Sequence, residues 1–161
     1  MLKKKTEEAI LPKAVAQKSQ IAIIRSEFNG EITESLEKHC LAVLLDAGVR
    51  RAHVKQYQVP GSLEIPVVAR IIAQKKAADV IIALGAVIRG DTYHFELVAN
   101  ECARGCMNVA LEFNIPVIFE VLAAYNLTQA AKRAGNNKMN KGREAALVAL
   151  KMLKLLSNFK R

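Results

Sequence analysis

The sequence predicts an α/β fold of three layers, in which a four-stranded parallel sheet lies between helices. Three observations predict it. Short aliphatic runs alternate with segments of helical periodicity along the whole chain. The longest apolar run, residues 80–88, is unbroken, the pattern of a strand covered on both faces. The runs end in turns rich in Gly, Pro, Ser or Asn that lead directly into helices.

Taken in order, residues 1–19 read as a polar N-terminal arm, mobile or draped over a neighbour, and residues 20–161 as a single domain. A short buried strand at 21–24 ends in a loop at 26–30. The helix that follows, 31–47, has apolar positions Ile32, Leu36, Cys40, Val43 and Leu44 near a 3.6-residue period, and Gly48 stops it. A second strand at 53–57 leads through Val59-Pro-Gly-Ser62 to a helix at 65–76. The third strand, 80–88, precedes a long helix at 92–113, and residues 116–122 supply the fourth strand. Asn126-x-x-Gln129 has the form of a capping box and opens a short helix that Gly135 closes. Asn140 caps the last helix, 141–159. Parallel strands need right-handed crossovers, so the cheapest arrangement is the flavodoxin-like strand order 2-1-3-4. The site of such a sheet lies beyond the carboxyl ends of its strands, at loops 26–30, 59–64, 89–94 and 123–126.

Composition narrows the function classes. At 161 residues the chain is long enough for a core that needs no disulfides, and with 52% hydrophobic but 5% aromatic residues that core is aliphatic. The net charge is +9, yet the basic residues are scattered at helix ends and polar faces without interleaved aromatics. That pattern favours a solvated surface and attraction of anionic substrates over a nucleic-acid groove, the rival reading of the +9 charge. Cys40, Cys102 and Cys106 lack zinc-site spacing and read as buried, reduced thiols, with no metal expected. No stretch resembles a secretory signal, and no apolar run is long enough for a membrane span. The expectation is a soluble, cytoplasmic protein.

The richest segment is Gly85-Ala-Val-Ile-Arg-Gly-Asp-Thr-Tyr-His-Phe95. A strand that ends in a Gly-containing turn and a helix N-terminus makes an anion site. Gly85-x4-Gly90 is followed by Asp91-Thr92 rather than Lys-Ser or Lys-Thr, so a nucleotide P-loop is excluded. His94, in the first helical turn, is the candidate for proton transfer beside a bound phosphate.

Six blocks together carry a resemblance. They are Ser26-x-Phe-Asn29, Val59-Pro-Gly-Ser-x-Glu-Ile-Pro66, Gly85-x-x-Ile-Arg-Gly-x-Thr-x-His-Phe95, Asn114-x-Pro-Val-x-Phe119, Gln129-Ala-x-x-Arg-Ala-Gly135 and Asn140-Lys-Gly-x-Glu-Ala-Ala146. From about residue 20 onward the chain resembles the 6,7-dimethyl-8-ribityllumazine synthases of riboflavin biosynthesis. The resemblance implies a transferase that condenses 5-amino-6-(D-ribitylamino)uracil with 3,4-dihydroxy-2-butanone 4-phosphate, releasing phosphate and water, with no cofactor and no metal. It implies that Phe28 stacks on the pyrimidine, with Phe119 also at the pocket, and that Ser62, Leu63 and Glu64 bind the same substrate. Ala86, Val87 and Ile88 would present backbone groups to the ring, Asp91 and Thr92 would hold phosphate with Arg133 as counter-charge, and His94 would move the proton. It further implies a homo-oligomer: a pentamer, extended to a 60-subunit shell, with active sites between subunits and riboflavin synthase as a candidate partner. A pairing of Phe28 from one subunit with His94 from the next would leave a monomer nearly inactive.

The chain also departs from the family pattern. Leu63 stands where an aromatic residue is frequent, Glu27 replaces a frequent Arg, and Lys138 a common His. Glu120-Val-Leu-Ala-Ala-Tyr-Asn126 stands in place of Gly-Val-Leu-Thr-x-Asp-Thr. The alternative left open by these departures is a non-catalytic module of the same fold that binds a flavin or a phosphorylated metabolite.

Overall fold

The structure, a computed structural model, describes residues 11–159. Strands β1 (Ile21–Ser26), β2 (Val54–Val59), β3 (Val80–Ile88) and β4 (Val117–Ala124) form one sheet. All pairings are parallel and the order is β2-β1-β3-β4, as the crossover argument predicts. The helices are α1 (Lys13–Lys18), α2 (Gly30–Asp46), α3 (Ile65–Gln74), α4 (His94–Phe113), α5 (Leu127–Ala134) and α6 (Lys141–Ser157).

Alternation along the strands builds two cores, one on each face of the sheet. Ile21, Ile23, Val80, Ile82 and Leu84 meet Leu36 and Leu44 of α2 and Leu150 of α6. On the opposite face Ala22, Ile24, Ile81 and Ala83 meet Ile65 and Ile72 of α3 and the Cys102 and Cys106 thiols of α4. Each fully buried Ile or Leu contributes about 1.5–3 kcal/mol relative to exposure. Close approach sharpens the packing at two glycines: a Cβ at Gly142 would overlap the Leu36 backbone, and one at Gly105 would lie 2.7 Å from Pro66. All three cysteines are buried and unpaired.

The asparagine caps form as the sequence predicts. Asn126 accepts from the Gln129 N–H at 2.8 Å, and Asn140 accepts from the Arg143 N–H at 3.0 Å. The ends of β2, β4, α3 and α6 each shift by two residues from expectation, and three further differences have a structural cause. Residues 13–18, read as part of a free arm, form α1, because Leu11 and Ala16 are buried against the α2/α6 face; the rest of that arm, residues 1–10, lies outside the described residues. β1 runs two residues further, since the buried Arg25 is paired with Glu37 at 3.0 Å and bonded to Thr33 at 3.3 Å. The long helix begins at His94 rather than 92, leaving Thr92 in the preceding bend.

Candidate active site

The loops at the carboxyl edge are tied to their neighbours by hydrogen bonds. The Glu27 N–H donates to the Val59 carbonyl at 2.8 Å, and the Phe28 N–H to the Pro60 carbonyl at 3.1 Å. Asn29 adopts a left-handed conformation (φ 57°), accessible to Asn at small cost, and donates its side-chain amide to the Ala86 carbonyl at 2.8 Å. The loop after β1 is thereby fixed to the loop after β2 and to the end of β3. These contacts exist because β1 lies between β2 and β3 in the sheet.

The absence of a side chain leaves room at two glycines. A Cβ on Gly85 would stand 2.7 Å from the Ser62 hydroxyl, 3.0 Å from the Ser26 hydroxyl and 3.1 Å from Val121. A Cβ on Gly61 would stand 2.9 Å from a carboxylate oxygen of Glu64, so the missing side chain lets Glu64 fold back over the turn at Ser62–Glu64.

Between these loops lies a cleft of about 470 Å³. Phe28, Ser62, Leu63 and Glu64 form one side of it, and Ala86, Val87 and Ile88 at the end of β3 line it too. Thr92 and His94 close the side toward α4. Nine residues expected at the site therefore share one cavity. Phe28 and His94, considered above as contributions of two different subunits, line the same cleft of one chain, because the strands that carry them, β1 and β3, are neighbours. The Phe28 ring is 73% exposed, an arrangement suited to stacking on a planar ligand.

Three expected residues lie apart from this cleft. Asp91 is exposed in the bend before α4 and does not line it. Phe119 stands on the edge strand β4, opposite Ala83 and five residues short of the Ile88 level, about 16 Å back along the sheet. Arg133 is exposed in the last turn of α5. The cleft also contains Asn29, Gly61, Gly90, Phe95 and Val98, which were given no role from sequence. The first four sit inside the quoted motifs. Val98 is signalled only by helical spacing, one turn beyond His94.

Glu120 faces the opposite side of β4 from Phe119, toward the start of α6. Burial pushes its carboxyl up to about 7; Lys141 opposes the shift and Glu144 adds to it. Lys141 and Glu144 are themselves paired at 2.7 Å. Among the described residues no group of three or more His, Cys, Asp or Glu side chains is placed to hold a metal ion, and no helix is long and apolar enough to cross a membrane.

The sequence model of the 6,7-dimethyl-8-ribityllumazine synthase family matches residues 18–157, which include the whole sheet and every residue of the cleft. The chain belongs to that family. Two relatives carry the same name. The 6,7-dimethyl-8-ribityllumazine synthase of Albidiferax ferrireducens is 45% identical over 142 residues, 88% of each chain. That of Verminephrobacter eiseniae is 45% identical over 140 residues, 87% of this chain and 88% of its own. In this lumazine synthase family member the first three sequence blocks lie along the carboxyl-edge loops, while Asn114–Phe119 enters β4 from the opposite edge and the last two blocks fall on α5 and the start of α6.

Proposed function

We propose that the chain condenses 5-amino-6-(D-ribitylamino)uracil with 3,4-dihydroxy-2-butanone 4-phosphate to give 6,7-dimethyl-8-ribityllumazine, phosphate and water. The observation that carries this reading is the convergence of Phe28, Glu64, Thr92 and His94 on one cleft within the family-matched span. The substrate amine is the nucleophile, so the protein needs no activated Ser or Cys. It must orient two reactants, move protons and stabilise a leaving phosphate.

In this reading the pyrimidine stacks on Phe28, with Ser62, Leu63 and Glu64 along its ribityl side and the β3 end, Ala86 to Ile88, presenting backbone groups to the ring. The butanone phosphate lies toward Thr92 and Asp91 at the α4 N-terminus, where unpaired N–H groups and the helix dipole favour an anion. His94 takes the proton from the attacking amine and returns one as water leaves the carbinolamine. Loss of phosphate and closure of the second ring complete the sequence.

The reading also covers the residues that stand apart from the cleft. Phe119 and Arg133 come from an adjacent copy, which places the active site between subunits. Two facts support an assembly of copies: Phe119 is exposed on an edge strand, and Val67, Ile71, Met107 and Leu111 expose apolar surface on α3 and α4. A pentamer, extended to a 60-subunit shell in the cytoplasm, is the expected state, with riboflavin synthase as the candidate partner protein.

The test is a rate assay on the purified protein with both substrates, following lumazine absorbance and phosphate release. The wild type should form product faster than the uncatalysed condensation, and His94→Ala should slow it on the order of 100-fold. Product formation no faster than the uncatalysed rate rejects the reading. Sedimentation under assay conditions tests the assembly, and a fully active monomer rejects the shared site.

A further inference from the structure

Tyr125 lies in the turn between β4 and α5, in the segment that departs from the family pattern. Its side chain does not line the cleft, yet its ring touches both ends of the segment that carries Gly90, Asp91, Thr92 and His94. At the start of that segment the Arg89 guanidinium sits 5.7 Å above the Tyr125 ring centre. At its end the Phe95 ring centre is 6.4 Å away, with the two planes inclined by 38°. Both arrangements fall within the attractive range for a cation over a ring and for a tilted aromatic pair. Phe95 is itself part of the cleft wall, so Tyr125 backs that wall from outside.

The ring rests on a fixed base. The Tyr125 N–H donates to the Gln129 side chain at 3.0 Å, while the Gln129 N–H donates to Asn126 at 2.8 Å. One residue before it, the Ala124 carbonyl accepts from the Arg89 N–H at 2.9 Å. The clasped segment has little else to hold it. Space around Gly90 is open, and among the described residues no side-chain hydrogen bond or ion pair restrains Asp91, Thr92 or His94.

We propose that Tyr125 is a positioning residue for the anion-binding loop, clasping residues 89–95 by both ends so that Thr92 and His94 are in place before the phosphorylated substrate arrives. This rests on the reading that the phosphate end of the butanone substrate binds at this loop. A loop ordered in advance leaves the ordering cost out of the binding step; without the clasp that cost weakens affinity for the group the loop holds. The Tyr125 hydroxyl makes no hydrogen bond among the described residues, so the ring alone carries the role.

The experiment compares wild type, Tyr125→Ala and Tyr125→Phe in the assembled protein, varying each substrate in turn and measuring inhibition by inorganic phosphate. Tyr125→Ala should raise KM for the butanone phosphate and Ki for inorganic phosphate together, by about threefold to tenfold given two contacts of ordinary strength. KM for the ribitylaminouracil should stay within error, the melting temperature should fall by no more than a few degrees, and Tyr125→Phe should restore wild-type values. Wild-type constants in Tyr125→Ala overturn the proposal, as does a loss that Phe fails to rescue or one that strikes both substrates equally. If the wild type itself makes no product, the synthase reading has failed. The clasp is then judged by calorimetric binding of inorganic phosphate: weaker binding by Tyr125→Ala supports it, equal binding overturns it.

Discussion

Replacing Glu120 with Gln should make the protein more stable at alkaline pH and leave it unchanged at acid pH. The carboxyl is pushed up to about 7 in the fold from an ordinary 4.5. A carboxyl raised in this way binds a proton in the folded state after the unfolded chain has released its own. Stability therefore falls as pH rises from 4.5 through 7, and the loss is complete above 7. The rise from 4.5 to about 7 corresponds to roughly 3 kcal/mol at full strength. The side chain keeps contact with solvent, and screening reduces this to about 1–2 kcal/mol. Gln keeps the shape and cannot ionise, so the variant should gain that amount at pH 8 and nothing at pH 4.5. Denaturant titrations of both proteins at matched concentration, from pH 4.5 to 8.5, measure it directly. Parallel stability curves, or a variant less stable at pH 8, would refute the reasoning that burial outweighs the attraction of Lys141.

Two further substitutions probe the packing that holds the α6 end of the fold. Gly142→Ala drives a methyl into the Leu36 backbone, where neither helix can yield by a rotamer change; a loss of about 3 kcal/mol in urea unfolding is expected, and an unchanged midpoint would mean that α2 and α6 separate freely. Asn140→Ala removes a cap for α6 and two amide bonds, to the Ala134 carbonyl at 2.7 Å and the Gly135 carbonyl at 2.9 Å. The Ser35 hydroxyl and the Asn137 N–H still serve those two carbonyls, so the loss is that of the cap and of the two amide bonds, about 2 kcal/mol, read by the same titration.

Much of the fold was legible because its signals are local and strong. The run at Val80–Ile88 has no polar interruption, and the Asn126 and Asn140 caps precede helices that stop at recognisable residues. α1 was illegible because six residues show no period, and only the burial of Leu11 and Ala16 makes the turn worth forming. The end of β1 was hidden for a different reason: an arginine looks like a loop residue until Glu37, twelve positions later, supplies its counter-charge. The cleft was legible where its residues fall in contiguous motifs, from Ser62 to Glu64 and from Ala86 to His94. The Asn29 contact to Ala86 spans 57 residues, and Tyr125 reaches back to Arg89 and Phe95. Such long-range partners carry no local pattern, so only the folded chain reveals them.

The loop bearing Phe28 combines a pinned main chain with an unrestrained ring. Its N–H is held by the Pro60 carbonyl, its neighbours are bonded to Val59 and Ala86, and the ring stands 73% exposed. A planar guest that lands there has only two side-chain torsions to freeze. The entropy lost is about 0.5–1.5 kcal/mol for one side chain, where ordering a five-residue loop would cost roughly 1–2 kcal/mol for each residue. If the ring stacks on substrate as proposed, binding there orders one side chain and leaves the main chain of the loop as it already stands.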